Sequence, residues 1–160
     1  MTDTNKNSVT NNPIPDERTA KAFANSWNSL PDGSIYSWDQ FVDWLRPVSK
    51  QFIAGRTVLE MGCGNGSLME YMLRWEPKHI HGIDLGDSVL SARRNLERTG
   101  SVDWSLEKVD LNALRGGGFD FVYCIGVLHH LQDPEVGFKS VVANVKSGGR
   151  FHCWVYAEEG

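Results

Sequence analysis

Apolar residues recur along this chain with two different periods, and the changes of period mark its elements. From Arg56 onward, runs of strand length stand at 57–61 (TVLEM), 79–84 (HIHGID), 104–109 (WSLEKV), 119–126 (FDFVYCIG) and 150–156 (RFHCWVY). Helix-compatible segments fall between them at 67–75, 88–99 and 134–146. Asp87 is placed to cap the second helix and Gly100 to close it. Asp133-Pro134 is an N-cap followed by proline at the first helical position, and Gly148-Gly149 ends that helix before the last run. Strands alternating with helices predict an α/β fold with a parallel sheet and right-handed crossovers.

Ahead of this regular part the pattern is helical. A helix is expected over 17–30, with Ala22, Phe23, Ala24 and Trp27 as its less polar side and Pro31-Asp32-Gly33 as its stop. Ser37-Trp38-Asp39-Gln40 has the form of a capping box. Phe41, Trp44, Leu45, Val48 and Phe52 follow at helical spacing as one apolar face, with Pro47 placed to divide the helix. That face is expected to pack on the edge or mouth of the domain. Residues 1–16, rich in Asn, Thr and Pro, read as a disordered tail, 17–55 as a helical cap and 56–160 as the core.

Composition narrows the partners. The chain has 160 residues, 41% of them hydrophobic and 22% charged, with a net charge of −4. That charge argues against a general binder of nucleic acid or anionic membrane. Cys63, Cys124 and Cys153 are widely spaced, with no Cys-x-x-Cys pair, and read as reduced thiols with no metal role. The N-terminus lacks the apolar stretch of a secretory signal, and no run is long enough to span a membrane, so a cytoplasmic location is expected.

In open α/β sheets ligands bind beyond the carboxyl ends of the strands. Those ends hold Glu60, the turn Gly62-Cys63-Gly64-Asn65-Gly66, Asp84, Asp110 and the stretch from Cys124 to His130. The glycines let main chain approach a ligand. They fit a dinucleotide fingerprint only in part, because Ser67 stands where it wants glycine or alanine. Glu60 discriminates better: a carboxylate here is unwelcome beside a pyrophosphate and suits a cation. Asp84 is placed to accept from the two hydroxyls of a ribose, with Asp87 better suited to the helix cap. Asp110 reads equally as an acceptor for the exocyclic amine of adenine, with the Leu111 amide donating to the ring, or as an ordinary loop aspartate.

In their order, "VLEMGCGNG", "HGIDLGDSVLSARRN", "VDLNAL" and "FDFVYCIGVLHHLQDPEVGFKSVVANVKSGGRF" resemble the class I S-adenosylmethionine-dependent methyltransferases, in particular the bacterial type 11-like group, over roughly residues 56–157. The resemblance implies a Rossmann-like three-layer sandwich with a mostly parallel sheet of order 3-2-1-4-5. It implies methyl transfer from S-adenosylmethionine to a small-molecule acceptor, leaving S-adenosylhomocysteine. Glu60, Gly62, Cys63, Gly64 and Gly66 would surround the methionine part, Asp84 the ribose, Leu85 the adenine edge, and Asp110 and Leu111 the adenine. Backbone near Cys124 and Ile125 would accept from the methionine ammonium. His129 and His130 stand near the acceptor's entry as candidate general bases, one of the two packing or capping instead. Trp27, Tyr36 and Trp38 fall in a segment that lids the cofactor in such proteins, although plain packing is the expectation for them here.

The family's sheet normally continues past its fifth strand with strands 6 and 7, which are not in this sequence; the expectation is either a piece cut from a longer chain or a short form that completes its sheet by association. An open fifth-strand edge carrying Phe151, Trp154 and Val155 leads us to expect a homodimer covering it. Two rival readings stand beside methyl transfer: a cofactor-binding fragment without turnover, and a nicotinamide-dependent oxidoreductase domain, which Glu60 disfavours.

Overall fold

In a computed structural model, which describes residues 15–30, 33–114 and 116–157, the chain forms six α-helices and five strands. The helices α1 (Pro15–Ser29), α2 (Trp38–Leu45) and α3 (Lys50–Ile53) come first. There follow β1 (Thr57–Met61), α4 (Ser67–Leu73), β2 (His79–Asp84), α5 (Ser88–Glu97) and β3 (Trp104–Lys108), then β4 (Phe119–Ile125), a 3-10 turn (Leu128–His130), α6 (Pro134–Ala143) and β5 (Val145–Trp154). The sheet has the order β3-β2-β1-β4-β5, with every pair parallel. Most of the expected tail, and the Pro31-Asp32 part of the expected helix stop, lie outside the described residues.

Alternation along the strands sends side chains to two buried faces, which is why β1 and β4 read as continuous apolar runs. On one face Val58, Ile80, Phe121 and Tyr123 pack with Phe41, Leu45, Ile53, Met69, Met72 and Leu96 of the helices α2 to α5. On the other, Leu59, Met61, Ile83, Val122 and Cys124 pack with Leu111, Leu128 and Val141. The stripe begun by Phe41 therefore belongs to the core. Pro47 divides it as expected, with α2 ending at Leu45 and α3 starting at Lys50.

The capping box forms as expected. The Gln40 amide donates to Ser37 Oγ at 3.1 Å, and the Ser37 amide donates to Gln40 Oε1 at 2.9 Å. Ser37→Ala is expected to cost about 1 kcal/mol, read as a lower urea midpoint at unchanged slope. Asp133 also caps as expected, accepting from the amides of Glu135 and Val136.

Two expectations change. Asp87 occupies the cap position of α5 but makes no side-chain cap, because its carboxylate pairs with Lys108 at 2.6 Å. The last strand begins at Val145, five residues earlier than expected, since α6 has already ended at Ala143. Its pairing jumps from Phe119–Val145 to Phe121–Arg150, and Gly148, at φ 75°, absorbs the extra residues in a bulge. Beyond the bulge, β5 returns to register with its edge open, and Phe151 and Val155 are exposed.

Candidate functional site

All the strand ends that carry polar residues open into one cavity of about 250 Å³. Its floor is the turn between β1 and α4. The amides of Gly62 and Cys63 both donate to the carbonyl of Ile83 at 2.8 Å, folding the turn across the end of β2. Gly62 has φ 85°, and a side chain there would collide with Val127. Gly66 starts α4 from the left-handed region at φ 77°, with Ala92 packed against it. Close packing and backbone geometry thus require glycine at both places.

Asn65 and Ser67 complete the turn. Ser67 is buried and donates to Asn65 Oδ1 at 2.6 Å through its hydroxyl, while its amide donates to the same oxygen at 3.2 Å. The Ile35 amide in turn donates to Ser67 Oγ at 3.2 Å. This explains the serine where a dinucleotide turn has glycine: its hydroxyl joins the turn to the segment ahead of α2. The Asn-Gly-Ser sequence is the signal, since these side chains bond local backbone at helix starts.

Asp84, at the end of β2, holds the turn from the other side. Its Oδ2 accepts from the Gly64 amide at 2.9 Å; Oδ1 accepts from the Gly86 amide and the Ser88 hydroxyl, both at 2.8 Å. The local work expected of Asp87 is therefore done by Asp84, which also lines the cavity with Leu85. Asp110 and Leu111 line it from the end of β3. The Asp110 carboxylate accepts from the Asn112 amide at 2.8 Å.

Glu60 is the electrostatic centre of the site. It is 2% exposed, on the same face of β1 as Val58, and lines the cavity. The Tyr123 hydroxyl donates to its Oε2 at 2.7 Å. Burial pushes its carboxyl up to about 8, with the Asp84 charge adding to the rise and the Tyr123 bond opposing it. Burial and the charges of Asp84 and Glu60 also push the Cys63 thiol up, so Cys63 is a protonated wall residue. No lysine or arginine is among the described lining residues.

The roof comes from the N-terminal segment. Thr19, Ala20, Phe23 and Trp27 project from one side of α1 into the cavity. The indole of Trp27 lies over Gly64, 3.4 Å from where a β-carbon would stand. Trp27 and Tyr36 line the site, against the expectation of plain packing, whereas Trp38 does pack, against Phe41, Tyr71 and Trp75. Val127, from the expected stretch Cys124 to His130, and Trp44, from the helical face expected at the edge or mouth of the domain, also line it; Phe23, Trp154 and Tyr156 line it without having been expected there. No local motif marks these last three, because α1 and the end of β5 come together only on folding.

Of the residues expected at the site, Glu60, Gly62, Cys63, Gly64, Asp84, Leu85, Asp110, Leu111, Ile125 and His130 all line this cavity. Gly66 sits behind it at the helix start. The Cys124 side chain does not line it: neighbouring strand residues face opposite ways, and it is buried with Leu59 and Val122 on the far face, while the role expected at Cys124 and Ile125 was for backbone. His129 does not line it either. Its ring lies against His130 at 4.1 Å and Tyr156 at 4.6 Å, and burial and the neighbouring imidazole hold its pKa down. His130 stands at the rim beside Phe23, 5.0 Å between ring centres.

A sheet of this order with its cavity at the strand ends is a Rossmann-like α/β class of protein, and the model of the methyltransferase domain matches residues 59–151. The chain belongs to that family. It is 34% identical over 115 residues to a ubiquinone biosynthesis O-methyltransferase of Xanthomonas axonopodis, covering 66% of this chain and 48% of that protein. It is also 33% identical over 138 residues to an uncharacterized protein of Synechococcus, covering 78% of this chain and 32% of the other. The chain thus spans about a third to about a half of the length of these curated relatives. A putative S-adenosylmethionine dependent methyltransferase from Listeria monocytogenes superposes with a TM-score of 0.58 at 26% identity, over 71% of this chain and 51% of that one. The N-methyltransferase NodS from Bradyrhizobium japonicum, solved with S-adenosyl-L-homocysteine, shares the fold with a TM-score of 0.65 at 20% identity, over 81% and 70% of the two chains. Among the described residues no helix is long and apolar enough to cross a membrane.

Proposed function

We propose that this chain binds S-adenosylmethionine in the cavity above β1 and β2 and directs its methyl group to a small-molecule acceptor. The observation that carries this reading is Glu60, a buried carboxylate facing the cavity with no lysine or arginine among the described lining residues. Such a group is costly to ionise alone and is compensated by a cation brought by the ligand. The methionine ammonium and the sulfonium are such cations. Asp84, with lone pairs left after its three internal bonds, would hold the ribose; Asp110 and Leu111 would hold the adenine.

A dinucleotide fits these residues poorly. Its pyrophosphate would seek free amides at the glycine turn and a basic side chain. The Gly64 amide is already given to Asp84, and the carboxylate of Glu60 faces the same space. The residues present therefore favour a ligand that is cationic at the turn.

When bound, S-adenosylmethionine supplies a methyl group on sulfur that is ready for displacement. The chain's own contribution is positioning, which is much of what such a reaction needs. Phe23 and Trp27 cover the turn and keep water from it, and Glu60 fixes the charged end. His130, the member of the histidine pair on the cavity side, is placed to take a proton from an acceptor at the rim. Calorimetric titration with S-adenosylmethionine, S-adenosylhomocysteine and NAD tests the reading. Binding of the first two without NAD is expected; tight NAD binding with no response to S-adenosylhomocysteine would overturn it.

A further inference from the structure

Part of the cavity's lining is a wall of touching rings. Tyr36 meets Trp44 at 4.9 Å between ring centres and 78° between planes. Trp44 meets Trp154 at 5.4 Å, and Trp154 meets Tyr156 at 4.9 Å and 74°. All four line the cavity. They come from the segment before α2, from α2 itself, and from β5 with the residues after it. His152 bonds the carbonyl of Trp44 through Nε2 at 2.7 Å, joining α2 to β5 beneath the wall.

We propose that this ring wall is the acceptor subsite and that it takes an uncharged aromatic compound. The proposal rests on the methyl-transfer reading, under which Glu60, Asp84 and Asp110 are occupied by the cofactor. Three arguments select the class. A carboxylate or phosphate would find no lysine or arginine among the described lining residues, and burying an anion without such a partner is costly. A cationic acceptor would be pressed against the sulfonium with no carboxylate left to pair with it. A neutral ring meets neither obstacle and gains stacking and edge contacts with the tryptophans and tyrosines. Burial and the neighbouring Tyr156 and Glu60 push the Tyr36 hydroxyl up to about 12, so it remains a donor for a hydroxyl or carbonyl on that ring.

The test uses the full chain saturated with sinefungin, an analogue with an ammonium in place of the sulfonium. Three probes sharing one ring are titrated by calorimetry at pH 7: 4-methylcatechol, 3,4-dihydroxybenzoate and 3,4-dihydroxyphenethylamine. The neutral catechol is expected to bind at least tenfold tighter than the acid or the amine. Tyr156→Leu should weaken it at least fivefold while sinefungin affinity stays within twofold; at 63% exposure this residue can be changed without unfolding the chain. Trp154→Leu should act in the same direction. Equal or tighter binding of the acid or the amine, no binding of any probe, or an unchanged catechol affinity in Tyr156→Leu would overturn the proposal while sinefungin still binds. Failure of sinefungin itself to bind would instead remove the methyl-transfer reading beneath it.

Discussion

Asp84→Ala is expected to lower affinity for S-adenosylhomocysteine at least a hundredfold, the largest loss of any single substitution at the site. Two effects combine. The carboxylate is the proposed ribose acceptor, and lost hydrogen bonds to a charged group cost about 1.5–3 kcal/mol. The same carboxylate accepts from the Gly64 amide, the Gly86 amide and the Ser88 hydroxyl. Alanine frees all three donors at once and loosens the turn on which the ligand sits. A total near 3 kcal/mol corresponds to more than a hundredfold in affinity. Calorimetry on the variant, with circular dichroism to show that the sheet is retained, reads both effects. An affinity within threefold of the original would refute the role of Asp84 in ribose binding.

The second large effect is a pH dependence centred on Glu60. Its carboxyl is raised from 4.5 to about 8 in the folded chain, so the folded state favours the protonated form. Below about pH 4.5 the group is protonated in both states and its burial costs little. Between about 4.5 and 8 the unfolded chain ionises it while the folded chain resists, and stability falls as pH rises. Above about 8 the penalty is complete, at roughly 3–5 kcal/mol. Glu60→Gln keeps an acceptor for Tyr123 and removes the ionisation. Urea unfolding at pH 5 and pH 9 should show the variant gaining several kcal/mol relative to the original chain only at the higher pH. Parallel behaviour of the two proteins across that range would remove the assignment. A cationic ligand draws the proton off Glu60, so binding at pH 7 should release protons in the original chain and fewer in the variant.

The parts of this molecule that were legible in its sequence are those set by short spacings. Apolar runs of strand length located β1 and β2 to the residue. The capping box at Ser37 and the Asp133-Pro134 start each depend on atoms within three or four residues. Glu60, Asp84 and Asp110 were legible because strand ends of an α/β sheet collect in one place whatever the rest of the chain does. The misses have physical causes of the opposite kind. Asp87 carries the signature of a cap, but Lys108, on the neighbouring strand, takes its carboxylate. The start of β5 was obscured because Gly148 serves a bulge inside the strand, while glycine pairs usually mark an end. The ring wall could not be seen at all, since His152 and Trp44, 108 positions apart, meet only after folding.

Asn95 joins parts of the site that local patterns keep separate. On α5, it accepts from the Gly33 amide at 2.7 Å through Oδ1 and donates to the carbonyl of Asn65 at 2.9 Å through Nδ2. One buried amide therefore fastens the segment that follows the cavity's roof to the glycine turn that forms its floor. If the proposed ligand leaves by displacing that segment, the Gly33 bond must break on the way; shortening the Asn95 side chain is therefore expected to quicken ligand exchange, read as a faster dissociation rate, more than it weakens equilibrium binding.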